Sequence, residues 1–422
     1  MKQNKMHYAW LIFVGCCVIS FTGFGLIVNT QGLFFTPVAE ELNISRAQIS
    51  MVLTIQNIVQ MMVLPFAGTI FTKYKTRNVL TASFLVLAIA IMSAATYQNV
   101  YSFYVMGAII GLIQPFCITL VLPILLGNWF DKKLGFALGF ASALSGIGGT
   151  IANPIVSSII TNFGWRSGYL FIGLIALILV LPFTLFVMVL KPSEKGLQAY
   201  GAEETMNHEA SFNTLQEVSG YTAKEAYRSH KFYLFCLAAM SLNMIAGFVQ
   251  HVSSHVVNSG FTLNVGATVM SGIMFGAAAG KFIAGLLLDK WPSNTVTIIY
   301  GLIGILGWFG LNFSTNSQLF VLSGFTAGFA QALLLVAVPF MVKKVFGMKS
   351  YSSIYATIGA LGSLMSAISA YLGGVIFDVT ESYSLSINLN VGFYIIAIIS
   401  ILIALITVKN KATAKESELA IN

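Results

Sequence analysis

A succession of uninterrupted apolar runs, each long enough to cross a lipid bilayer, constrains this chain more than any other feature. About twelve can be marked, at residues 8–36, 47–71, 78–97, 101–127, 134–161, 167–190, 232–258, 264–288, 295–313, 318–342, 352–377 and 388–408. At a helical rise of about 1.5 Å per residue, roughly 20 residues cross a hydrocarbon core of about 30 Å. Lipid offers backbone amides no water, so runs of this length must be helices. They are too long and too continuous for the alternating strands of a membrane barrel. Composition agrees: of 422 residues 57% are hydrophobic and 9% charged, too little charge to cover a soluble protein of this size. The fold class is an all-α membrane protein with about twelve transmembrane helices.

Charge sets the orientation. One series of loops holds Lys73, Lys75, Arg77, Lys132, Lys133, Lys191, Lys195, Lys224, Arg228, Lys231, Lys290, Lys343, Lys344 and Lys349, and both tails are basic; the other series holds only Arg46 and Arg166. The positive-inside rule then places both termini in the cytoplasm and predicts a multi-pass protein of the cell (inner or plasma) membrane. It also accounts for the net charge of +8 without invoking nucleic acid. The first run follows Lys2 and Lys5, is too long for a signal-peptide core and lacks a small-residue cleavage site, so it is expected to be retained as a span. Cys16, Cys17, Cys117 and Cys236 lie in apolar segments without metal-ligand spacing and read as core residues. Neither a metal nor a cofactor is expected.

A single long polar interval divides the chain. The predicted domains are a six-helix bundle at 1–190, a cytoplasmic linker at 191–231, a second six-helix bundle at 232–408 and a cytoplasmic tail at 409–422. The two bundles resemble each other at an offset of about 217 residues: Gly68-Thr-Ile-Phe-Thr-Lys73-Tyr74 recurs as Gly285-Leu-Leu-Leu-Asp-Lys290-Trp291. Likewise Gly111-Leu-Ile-Gln114 recurs as Gly328-Phe-Ala-Gln331, and Pro123 before Phe130 as Pro339 before Phe346. Parallel repeats of this kind place a substrate at their interface near the bilayer midplane.

Within the eighth run, VGATVMSGIMFGAAAGKFIAGLLL, Lys281 is the only formal charge. The nearest carboxylate, Asp289, lies about 12 Å further along the helix axis. An unpaired cation at such depth costs at least about 2.5–3.5 kcal/mol and marks a wet cavity or an ion pathway. The bland alternative is a lysine snorkelling to the interface, but its reach of about 6 Å covers half that distance. A fixed cation in a cavity points to an anion as cargo.

Four passages carry a family resemblance: Tyr8-Ala-Trp10; Gly32-Leu-Phe-Phe-Thr-Pro-Val-Ala-Glu-Glu-Leu42; Asn128-Trp-Phe130 with Lys132-Lys133-Leu-Gly135; and Phe163-Gly-Trp-Arg166. Over nearly its whole length the chain resembles major facilitator superfamily transporters, and within them the branch of oxalate:formate exchangers and monocarboxylate carriers. The resemblance implies two pseudo-symmetric six-helix bundles, and a basic residue, usually Arg, four positions before the Gly of a G-x-x-x-D-[RK] loop that binds the substrate carboxylate. Lys281 stands at that position before Gly285 and Asp289. Lys is a compact point charge that sheds its proton when buried more readily than Arg, and it lacks the bidentate fork. The chain also departs from its relatives. Ala277 replaces the Asp of proton-coupled carriers, Asn29 falls near their first-span Lys, and residues 354–377 lack the second basic residue of oxalate exchangers. One cation suits a monovalent anion.

Other candidates are weaker. His251 and His255 share a helix face in the outer third of the seventh span. His251 is a proton-coupling and anion-contact candidate there, against a reading as polar packing. Gln114 and Gln331 occupy equivalent positions in spans that line the cavity in the superfamily, and interhelical hydrogen bonding is their alternative role. Asn29, Tyr355, Gln31 and Asn57 are of the same kind. The glycines Gly135, Gly139, Gly146, Gly148, Gly149, Gly359 and Gly362 suit close helix packing. Gly68, Lys73, Arg77, Gly285, Asp289 and Lys290 correspond to the superfamily's gating loops, with Thr72 in place of the usual acid in the first copy.

The expected function is secondary transport of small monocarboxylates or related organic anions by alternating access, through proton symport or anion exchange. Lys281 and His251 are the proton-coupling candidates, and the working unit is a monomer in the bilayer. The alternatives are efflux of drugs or amphiphiles, and a transport-inactive nutrient sensor. No nucleophile–base constellation points to an enzyme.

Overall fold

A computed structural model describes residues 7–130, 133–201, 220–347 and 350–419. Lys132, Lys349 and residues 202–219 of the predicted linker lie outside them, and the side chains of Lys73 and Asp289 are likewise not described.

Eleven described segments are long and apolar enough to cross a membrane. One of them, Phe136–Phe186, has 51 residues, about 77 Å of helix and more than twice a bilayer core. Within it Gly164 takes φ 82°, ψ 162°, a conformation that residues with a Cβ rarely adopt. The segment is therefore two spans, the fifth and sixth, and the predicted twelve are present. The later spans follow as the seventh, His230–Asn258; the eighth, Leu263–Leu288; the ninth, Ser293–Phe313; the tenth, Ser317–Phe346; the eleventh, Thr357–Thr380; and the twelfth, Ser384–Leu405.

The repeat seen in the sequence reappears in helix capping. Asn99 before the fourth span accepts a hydrogen bond from the Ser102 backbone amide at φ −142°, ψ 157°. Asn316 before the tenth accepts from the Leu319 amide at φ −142°, ψ 160°. Each supplies a partner for an otherwise unpaired first-turn amide.

Four spans are not regular. The first widens to a π-helix over Ser20–Val28, the fourth over Pro115–Thr119 and the tenth over Leu333–Ala337. The seventh tightens to a 3-10 turn over Val249–His251. Proline explains two of these. Pro123 and Pro339 cannot donate to the carbonyls four residues back, at Thr119 and Leu335, which fall inside the two distorted stretches.

Side chains bury into two apolar clusters, one drawn almost wholly from the first six spans and one from the last six. All four cysteines are buried and unpaired. The passages that carry the family resemblance meet in pairs at the two ends of the first cluster. On the face bearing the chain's ends and its lysine-rich loops (the basic face), the Tyr8 hydroxyl donates to the Val187 carbonyl at 2.8 Å and Trp129 Nε1 to the Val189 carbonyl at 2.9 Å. Trp10 packs edge-on against Phe130. On the opposite face Glu41 accepts from Trp165 Nε1 at 2.7 Å and pairs with Arg166.

The two sets of six spans touch along the face opposite the basic one. The backbone amides of Arg46 and Ala47, at the start of the second span, each donate to the Asp378 carboxylate at 2.9 Å. Thr36 donates to Ser254 at 3.1 Å, Thr54 to the Ala367 carbonyl at 2.7 Å, and Ser157 to Asn264 at 2.8 Å. Toward the basic face, Gly139, Gly285 and Gly359 each look onto open space. The described hydrogen bonds between the two sets of spans thus close the face opposite the basic one.

Close packing of the first and fifth spans requires glycine at one crossing. A Cβ on Gly148 would lie 2.5 Å from the Phe21 carbonyl oxygen and 3.0 Å from Gly25 Cα. Both obstacles are backbone, so overpacking should cost about 1–3 kcal/mol. Gly148→Val is expected to lower the melting temperature of the detergent-solubilised protein; an unchanged midpoint would show that these helices do not approach so closely.

Candidate anion-binding cavity

Lys281 projects from the eighth span into a cavity of about 340 Å³ between the two sets of spans. The irregular stretches converge on it. Ser20 and Phe24 come from the π-helix of the first span, Gln250 from the 3-10 turn of the seventh, and Leu335 from the π-helix of the tenth. Asn29, Ser142, Ser145 and Gln331 complete its polar lining. Non-helical backbone at membrane depth is tolerated where it lines such a space.

The cation has no partner. Among the described residues the Lys281 ammonium makes neither an ion pair nor a hydrogen bond. The groups around it are neutral dipoles, and several are held in place. Asn29 donates its amide to the Ser145 carbonyl at 3.1 Å, which uses one of its two amide hydrogens and leaves the other free to donate. A Cβ on Gly149 would lie 2.9 Å from the Asn29 amide nitrogen and 2.9 Å from Met274 Cγ, so glycine lets the first and eighth spans meet beside the cavity. A second space of about 640 Å³ continues from Lys281 toward the basic face. It is lined by Phe136, Phe140, Phe282 and Val336, an apolar approach to a single positive charge.

The cavity unites three of the residues singled out from sequence, Lys281, Asn29 and Gln331. Gln114 is elsewhere: it is buried and accepts from Gln56 Nε2 at 2.7 Å, while Gln56 Oε1 accepts from Gln31 at 3.2 Å. These three amides satisfy one another inside the first six spans. Of the two copies expected from the repeat, only Gln331 faces the cavity. His251 is 3% exposed rather than open to a vestibule, with Nε2 2.7 Å from the Ala370 carbonyl oxygen. His255 similarly meets the Leu311 carbonyl at 3.0 Å. Tyr355 is half-buried on the helix Tyr351–Thr380, just before the eleventh span, and does not line the cavity. Of the gating-loop residues, Arg77 and Lys290 are exposed and Gly285 has open space beside it.

Sequence reasoning missed Gln250, Ser20, Ser142 and Ser145. Gln250 had a visible signal, an amide beside His251 in an otherwise apolar run. The serines had none, because serine is common in membrane helices for packing alone.

The model of the Major Facilitator Superfamily matches residues 12–275 and 232–420. The chain belongs to the Major Facilitator Superfamily. Among its relatives, the uncharacterized MFS-type transporter YcxA of Bacillus subtilis is 22% identical, with 98% of each chain covered. Human monocarboxylate transporter 11 is also 22% identical, over 90% of this chain and 80% of its own. In solved structures the same fold appears in the nucleoside transporter NupG, with a TM-score of 0.71, 14% identity and coverage of 93% of this chain and 99% of that one. A bacterial homologue of the human lysosomal transporter Spinster, inward-facing and occupied, follows with a TM-score of 0.68, 12% identity and 96% coverage of both.

For this Major Facilitator Superfamily member, an unpaired ammonium predicts an unusual mutational outcome. Lys281→Met keeps most of the side chain's length and removes a charge that no group among the described residues compensates. The variant is expected to melt no lower than the wild type in detergent. A fall of several degrees would show that the ammonium holds the helices together.

Proposed function

We propose that this transporter carries small monocarboxylates or closely related organic anions, binding the carboxylate at Lys281 and releasing it by rocking of the two six-helix halves. The observation that carries the reading is the solitary ammonium in a cavity between those halves, ringed by neutral amides and hydroxyls. At about 340 Å³ the space is at the lower end of ligand pockets, in keeping with a small cargo. An anion would neutralise Lys281 and so lower the penalty for closing water out of the site. Gln331, Asn29 and Gln250 could donate to its second oxygen.

In this reading both termini lie in the cytoplasm of a cell membrane, by the positive-inside rule, and the state described is open to the inside. The unit is a monomer. Coupling is either anion exchange, with Lys281 always occupied in transit, or proton symport, with Lys281 or His251 taking the proton. A second reading, efflux of amphiphiles, draws on the phenylalanine-lined approach at Phe136, Phe140 and Phe282.

Uptake of formate, acetate, lactate, pyruvate and oxalate into proteoliposomes, with and without a pH gradient, separates these readings. Wild type should accumulate at least one monocarboxylate in preference to oxalate. Lys281→Ala should reduce that uptake on the order of ten- to hundredfold, the effect of losing a charged hydrogen bond, and Lys281→Arg should restore part of it. Undiminished carboxylate uptake by Lys281→Ala would sink the anion reading, and transport of cationic amphiphiles by the same variant would favour efflux.

A further inference from the structure

Neighbouring residues on the short turn Val249–His251 face two different compartments. Gln250 lines the Lys281 cavity, whereas His251 lines a separate small chamber within the last six spans. The chamber measures about 10 Å³ and is bounded by His255, Trp308, Tyr383, Ser386 and Asn390 as well. That is room for about one water molecule.

Its polar atoms are unusually short of partners. The Ala370 carbonyl can only accept, so His251 Nε2 carries the hydrogen and Nδ1 of the neutral ring is a bare lone pair. Nδ1 has no hydrogen-bond partner among the described residues, and neither have Ser386 Oγ, the amide oxygen and nitrogen of Asn390, Trp308 Nε1 or the Tyr383 hydroxyl. His251 is 3% exposed, Ser386 2% and Asn390 0%. A folded chain does not ordinarily retain six such atoms around one space without a bridging group. A buried water makes about two to four hydrogen bonds, enough to serve Asn390 as donor and acceptor, the Ser386 hydroxyl and the His251 acceptor, while Trp308 Nε1 and the Tyr383 hydroxyl add to the polar wall.

We propose that this chamber is a hydrated proton-binding site, in which a water held by Asn390 and Ser386 donates to His251 Nδ1 and relays the coupling proton to it. The proposal rests on the proton-linked form of the transport reading. On uptake the proton adds to the Nδ1 lone pair, giving an imidazolium that still donates from Nε2 to Ala370. The water turns round, accepts from Nδ1–H and donates to Asn390 Oδ1.

Access to the site changes with the halves. The Phe35 ring, from the first six spans, lies 5.3 Å from the His251 ring by centroids and closes it on that side. Gly373 lacks a side chain where a Cβ would fall 2.5 Å from the His251 ring carbon Cδ2, which lets the imidazole lie flush on the eleventh span. When the halves part on this face, Phe35 leaves with its own half and the imidazole is uncovered. The charged groups that bear on it are Arg46 of the second span and Asp378 of the eleventh. Tyr383 packs on it at 5.5 Å, His255 shares its helix, and Phe35 and Trp308 bring no titratable group. Proton loading thus belongs to the face opposite the lysine-rich loops, and Gln250, one residue away, reports the change to the anion cavity.

The test compares pH-gradient-driven uptake with exchange at equal pH, in vesicles containing full-length wild type, His251→Gln, Asn390→Leu or Lys281→Ala. His251→Gln and Asn390→Leu should lose roughly ten- to hundredfold of gradient-driven accumulation and keep exchange. Lys281→Ala should lose both. Retention of both by Lys281→Ala, with the other two behaving as expected, would remove the anion site and leave the proton site standing. Normal gradient-driven uptake in both chamber variants overturns the proposal, as does equal loss of uptake and exchange, which a packing role predicts. A substrate-free arm uses nitrogen-15 histidine-labelled protein. Asn390→Leu should shift the His251 Nδ1 resonance, and an unmoved signal would exclude the bridging water.

Discussion

Everything in this molecule follows from the need to satisfy backbone hydrogen bonds where there is no water. Hydrocarbon enforces helices wherever the chain meets lipid, and it permits irregular backbone only around an internal polar space. The π-helical stretches of the first, fourth and tenth spans and the 3-10 turn of the seventh all fall at membrane depth. Three of the four contribute directly to the lining around Lys281. The distorted backbone and the unpaired ammonium thus meet at one place, a cavity between two bundles. Pro123 and Pro339 show how the sequence writes such distortions, by deleting an amide from each copy of the repeat.

Much of the fold was legible because span length, loop charge and repeat offset are local and redundant signals. A miscounted helix would have put Lys75 and Arg77 on the face occupied by Arg46 and Arg166. The site was legible only in part. Lys281 announces itself, since a cation in an apolar helix has few reasons to exist. Gln114 does not: a buried amide looks the same in sequence whether it faces a cavity or, as here, another amide on Gln56. Asn390 and Ser386 were invisible for the complementary reason. Nothing in the twelfth run distinguishes residues that face a closed chamber from those that face a neighbouring helix, because helix rotation is set by packing across the bundle.

The departures from the monocarboxylate carriers take on a geometric meaning. Ala277, where proton-coupled relatives have an acid, lies on the cavity wall one turn from Lys281. An acid there would pair with the ammonium and hold a proton beside the anion. Without it, on the proposed reading, charge compensation at Lys281 falls to the substrate alone, and any proton must be held apart from it. A lysine suits that division better than an arginine would, because an ammonium can be neutralised by one carboxylate oxygen and does not demand a bidentate partner.

On the proposed reading, the seal on the closed face must also be weak enough to break. Its described contacts are neutral hydroxyl–carbonyl and hydroxyl–hydroxyl bonds, such as Thr54 to Ala367 and Thr36 to Ser254, together with the Asp378 carboxylate on two backbone amides. A neutral intramolecular bond contributes about 0.5–1.5 kcal/mol net, and one to a charged group about 1.5–3 kcal/mol. The sum is a few kcal/mol, much of it regained when water reaches the parted surfaces. A seal of that strength lies within the range that differential ligand affinity can overturn, since about 5.5 kcal/mol moves an equilibrium from one extreme to the other. A network of buried ion pairs would not be so readily reversed, because separating each pair would strand charges in low dielectric. On that reading, the near absence of charge within the spans, which agrees with a membrane protein, is also what would leave its two halves free to part.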